Sequence, residues 1–105
     1  MNAEQEIEKC AAVTDKNLAL ADALLKLVPG WKAERTYVAK RGSVYMTLVS
    51  LCENQYITKV RIADHEETSD SHVAAEVTVL HGEKFGEPDL EGAAQAINEN
   101  EQGVF

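Results

Sequence analysis

From Glu4 to Val28, apolar and small residues fall at helical spacing: Ile7, Cys10, Ala11, Thr14, Leu18, Ala21, Leu25 and Val28. This is the i, i+3, i+4 pattern of a helix with one face turned inward. Leu20, Leu24 and Leu27 widen the stripe in its second half, which predicts a helix buried around much of its girth. Pro29-Gly30 ends it, because proline cannot continue a helix and glycine suits the exit. Thr14-Asp15 has the chemistry to cap a separate second helix. One helix over 4–28 is the favoured reading, with a kink there as the alternative.

Strands follow. The pattern predicts them over 36–40, 43–52, 55–64 and 73–80. Segments 43–52 and 55–64 are rich in Val, Ile, Tyr and Thr, the residues that suit a pleated, half-buried surface. Arg41-Gly42 reads as a tight turn, since glycine accepts positive φ. Glu53-Asn54 reads as a two-residue hairpin turn. With that turn, Tyr45 faces Ile62, Thr47 faces Val60, Val49 faces Thr58 and Leu51 faces Tyr56, and all eight share one sheet face suited to a core. The opposite face then holds Val44, Met46, Leu48, Ile57, Lys59, Arg61 and Ala63, apolar at one end and basic at the other. Residues 66–71 form a polar, acidic loop, and 82–88 a second, irregular one marked by glycines and a proline. Asp89 is placed to cap a short helix over 89–97, with Ala93, Ala94 and Ile97 as its thin apolar stripe.

The expected architecture is therefore α+β: a long N-terminal helix packed on a three- to four-stranded antiparallel meander, with a short C-terminal helix, in one domain over 1–105. One small alanine-rich helix covers little of a second sheet face. Met46, Leu48 and Ile57 are then expected to pack against another copy of the chain in a homodimer.

Length and composition fit that picture: 105 residues, 45% of them hydrophobic, supply one modest core. No apolar run approaches the ~18 residues of a membrane span, and the acidic start lacks the basic-then-apolar order of a secretory signal. The expected compartment is the cytoplasm, where Cys10 and Cys52 are free thiols. Charge changes the picture more. The net −8 divides into −2 over residues 1–31, +4 over 32–63 and −10 over 64–105. Such asymmetry bears on partners rather than on fold.

Three chemistries are candidates. The acidic half, through Asp64, Glu66, Glu67, Asp70, Glu83 and Glu87, has the charge to imitate phosphates and occupy a basic groove on a partner protein; ordinary solubility explains part of the same bias. The basic segment holds Lys32, Arg35, Lys40, Arg41, Lys59 and Arg61 with Tyr37 and Tyr45 interleaved, and aromatics beside bases stack nucleic-acid bases. Lys40, Arg41, Lys59 and Arg61 are its candidate contacts, although a sheet's exposed face needs solubilising charge in any case, and the overall acidity opposes affinity for a phosphate backbone unless the acidic half faces away. The third is a metal-dependent hydrolase or metal sensor built on Asp64, His65, His72 and His81. Its spacing matches neither a His-Glu-x-x-His helix nor a calcium loop, and a solvated loop accounts for the same residues. No phosphate-cradling glycine loop and no activated nucleophile is evident. The expectation is thus no catalytic residue, no metal and no cofactor.

Tyr45 to His65 resembles a strand–turn–strand of small phage and prophage proteins, in which the second strand ends in an Arg-Ile-Ser-Asp-His-like signature. Here it reads Val60-Arg61-Ile62-Ala63-Asp64-His65, departing at Ala63, and the likeness covers about 20 of 105 residues. The resemblance implies a small accessory protein of a mobile element, such as an inhibitor of a host defence component, and carries no single activity. The leading expectation is accordingly a non-enzymatic interaction protein that binds a host or competitor protein with a basic surface through its acidic half. A nucleic-acid binder using the basic sheet face stands as the first alternative.

Overall fold

A computed structural model describes residues 3–40, 42–63, 76–79, 82–86 and 88–100, with the side chains of 3–12 left out of account. Helix α1 runs over Ala3–Leu27 and is followed by strands β1 (Trp31–Val38), β2 (Val44–Ser50), β3 (Ile57–Ala63), β4 (Glu76–Val79) and β5 (Glu83–Gly86), then helix α2 (Leu90–Asn98). The strands form one antiparallel sheet in the order β1-β2-β3-β4-β5. The architecture is α+β, with five strands rather than three or four. The fifth comes from Glu83–Gly86, inside the segment expected to be an irregular loop. Four residues are too few for a periodic signal, and the pairing with β4 is what makes them a strand.

Both helices lie on one face of the sheet. The core joins Ala21, Leu24 and Val28 of α1 and Ala93, Ala94 and Ile97 of α2 to Val44, Met46 and Leu48 of β2, Val60 and Ile62 of β3, and Val77 and Val79 of β4. Trp31 closes it from the start of β1. Among the described residues of α1 one stripe is buried, and Leu18 is 37% and Leu27 41% exposed. The widened leucine stripe therefore does not enclose the helix, because a single sheet face meets it from one side and α2 covers only part of the rest.

The β2–β3 register differs from the expected one by one residue. Val44 pairs Ile62, Met46 pairs Val60 and Leu48 pairs Thr58. The cause is the turn, which is longer than Glu53-Asn54. Ser50 and Tyr56 are the last bonded pair, Gln55 N donates to Cys52 O, and Gln55 takes φ 48°. A side-chain period of two means that a single-residue slip moves every β2 side chain to the other face relative to β3. Val44, Met46 and Leu48 are therefore core, and are not a surface awaiting a second copy. Tyr45 and Thr47, expected inside, are outside.

Two short links fix the ends. Gly42, at φ 97°, turns the chain from β1 into β2, and its carbonyl accepts from the buried Asn17 Nδ2 at 2.8 Å. Asp89 caps α2, its Oδ1 accepting from Gly92 N at 2.9 Å. A Cβ at residue 92 would overlap that carboxylate, which explains a glycine in the first turn. Asp89→Ala is expected to lower stability by about 1 kcal/mol, the usual worth of such a cap, as read from urea unfolding monitored by circular dichroism.

Candidate nucleic-acid interface

The register that fills one face with aliphatic residues sends the alternate residues to the face that neither helix covers. Pairing carries one row across all five strands: Tyr37 on β1, Tyr45 on β2, Arg61 on β3, Thr78 on β4 and Lys84 on β5. A second row, two residues along, holds Arg35, Thr47 and Lys59. Lys32, opposite Val49, extends the basic edge, Glu76 is an acid on this face, and Glu34 is exposed at the bulge beside Arg35. Among the described residues the open face thus gathers five bases, Lys32, Arg35, Lys59, Arg61 and Lys84, in a chain of net charge −8. Its end nearest the β2–β3 hairpin is apolar, with Val49 and Ile57 paired.

Within this face the aromatic rings are unusually open. Tyr37 is 63% and Tyr45 40% exposed. Their centroids lie 6.0 Å apart at an interplanar angle of 42°, and the Arg61 guanidinium sits 5.8 Å from the Tyr45 centroid. That is cation–π range, and it steadies one face of the Tyr45 ring beside a positive charge. A shallow groove of about 310 Å3 runs here, lined by Arg35, Tyr37, Tyr45, Thr47, Lys59 and Arg61, with Thr78 and Gly82 toward β5. The bulge between Ala33 and Arg35 matters locally: without the extra residue, Arg35 would lie on the helix-covered face.

Of the nucleic-acid contacts read from sequence, Lys59 and Arg61 come together on this face. Lys40 is exposed in the β1–β2 turn, and Arg41 lies outside the described residues. Tyr37 and Tyr45, interleaved with the bases in sequence, lie side by side here, although Tyr45 was expected in the core. Thr78 and Lys84 were not singled out. Their place on the face comes from the β3–β4 and β4–β5 pairing, which puts Thr78 opposite Arg61 and Lys84 opposite Thr78. Of the acidic-half residues, Asp64, Glu66, Glu67, Asp70 and Glu87 lie outside the described residues, whereas Glu83 is exposed on β5. The candidate metal ligands Asp64, His65, His72 and His81 also lie outside them. Among the described residues no group of three His, Cys, Asp or Glu side chains is placed to share a metal ion.

At the far end of the sheet, Cys52 is exposed and free. The Ser50 hydroxyl, 3.0 Å from its Sγ, holds the thiol below its ordinary value, helped by the backbone amides of Asn54, Gln55 and Tyr56. The free thiol expected from sequence thus also has the amides of the five-residue hairpin loop close to its sulfur.

Among the described residues no helix is long and apolar enough to cross a membrane. No family model matches the chain, and neither a curated protein nor a solved structure is significantly similar to it.

Proposed function

We propose that this chain is a non-enzymatic nucleic-acid-binding domain whose ligand lies across the open face of the sheet. One observation carries the reading: basic side chains are gathered on the face that the helices leave uncovered, in a protein whose total charge is strongly negative. Uniform solubility would scatter them. A phosphate backbone is the partner chemistry that such a face fits, because each neutralised phosphate releases bound counterions. Asp15, Asp22 and Glu91 belong to the helices, which pack on the opposite side, and Glu99 caps the end of α2. Those described acids are thus on the side away from the proposed ligand.

Of the six contacts named for the rival reading, in which the acidic half grips a basic protein, Glu83 lies among the described residues, exposed on β5. The phage-like segment contributes β2 and β3, and so supplies Tyr45, Lys59 and Arg61 to this face. It adds no activity of its own.

The test is fluorescence anisotropy with a labelled oligothymidylate of about 15 nucleotides, long enough for one small domain. Saturable binding is expected at low ionic strength, at roughly micromolar concentration, weakening as salt rises with a log–log slope near −0.7 per phosphate contact. A folded protein that leaves the anisotropy unchanged at low salt would remove this function.

A further inference from the structure

Resting on that reading, we infer that the ligand is single-stranded, with unpaired bases stacked on Tyr37 and Tyr45 and its phosphates held by Arg35, Lys59, Arg61 and Lys84. The geometry points to this form rather than to a duplex. A duplex offers a sheet face phosphates and groove edges, and hides the flat faces of its bases in the stack. Cations alone would serve it, and two open tyrosines would add nothing. Here the tyrosines are neighbours in the same cross-strand row as Arg61 and Lys84, so one ligand crossing the strands meets ring faces first and cations next. The two rings meet as a tilted pair, 6.0 Å apart at 42°, and Tyr37 and Tyr45 remain 63% and 40% exposed, so a base can reach them from solvent. The Arg61 guanidinium beside Tyr45 favours an electron-rich ring system there. Four inter-strand gaps of about 4.8 Å make the face about 19 Å wide, which suits a site of about four nucleotides.

Every base has a π face, so the arrangement reads strandedness and not sequence. Thr47 and Thr78 lie on the same face with hydroxyls suited to sugar or phosphate oxygens, and Thr78 Oγ1 already lies 3.4 Å from Glu76 Oε1.

The experiment compares the labelled oligothymidylate with its duplex on oligoadenylate, using the full chain, with unlabelled polyglutamate as a competitor. The unmodified protein is expected to prefer the single strand at least tenfold. Tyr37→Ala and Tyr45→Ala should each weaken single-strand binding about tenfold, leaving the duplex affinity and the salt slope unchanged. Tyr37→Phe and Tyr45→Phe should retain binding, since stacking needs the ring and not the hydroxyl. Circular dichroism confirms that each variant is folded. Unchanged single-strand affinity in both alanine variants, or equal losses for single strand and duplex, would overturn the stacking inference while leaving nucleic-acid binding in place. Failure of the unmodified protein to bind either probe, or displacement by polyglutamate as effective as by oligonucleotide, would overturn the nucleic-acid reading itself.

Discussion

Reversing Lys59 and Arg61 together to glutamate is expected to lower affinity for the single strand more than 100-fold at low salt. Two attractive contacts become two repulsive ones, in a protein already carrying −8. The salt slope should become shallower by about 1.4, from two lost phosphate contacts at about 0.7 each. Both side chains are exposed on β3, outside the core, so unfolding free energy should change by no more than about 0.5 kcal/mol. The combination is diagnostic: a surface used for binding loses affinity without losing stability. The matching reversal of Lys16 and Lys26, exposed on the helix side of the molecule, adds the same negative charge away from the face. It should cost far less affinity, because screening over about 10 Å weakens distant charges. Equal losses from the two pairs would mean that net charge alone, and no particular face, governs binding.

The largest effect on folding is expected at Gly42. Its φ of 97° is one that L side chains rarely adopt, and a Cβ there would meet Val13 Cγ1 at 2.9 Å and the Thr14 backbone nitrogen at 3.1 Å. Gly42→Ala must therefore strain the turn and push it off α1. It also disturbs the bond from Asn17 Nδ2 to the Gly42 carbonyl, at a buried asparagine. Left without its acceptor, a buried amide costs about 1–3 kcal/mol. A loss of about 3 kcal/mol is expected from strain and overpacking together, a large part of the 5–15 kcal/mol typical of a domain. Gly82 is the internal comparison. It also has positive φ, 85°, but nothing lies within 4 Å of a Cβ there, so Gly82→Ala should cost only the backbone term of about 1 kcal/mol. Urea unfolding of the two variants separates close approach from backbone strain. Equal losses would show that contact with α1 contributes nothing.

The β1–β2 turn joins the two strands that carry Tyr37 and Tyr45 of the open face. The turn sets where Tyr37 and Tyr45 meet across the two strands. A Gly42 variant that still folds is thus expected to bind the single strand more weakly, although residue 42 does not line the groove.

Local sequence determined much of this protein. The helical spacing from Ile7 to Val28, the Pro29-Gly30 stop, the Gly42 turn and the Asp89 cap all rest on interactions within a few residues, and each is found where the sequence puts it. The charge segregation along the chain is likewise fixed by sequence. The tertiary structure decided which side of each strand faces the helices. Within β2, the alternation of Val44, Met46 and Leu48 with Tyr45, Thr47 and Val49 is apolar enough on both sides that a two-residue turn and a five-residue loop give two credible sheets. Only burial against Leu24, Val28 and Ile97 selects between them. That selection turned Tyr45 outward beside Arg61. β5 and the bulge that orients Arg35 are also products of pairing: a strand of four residues and a one-residue insertion have no period of their own, and partners distant in sequence supply their geometry.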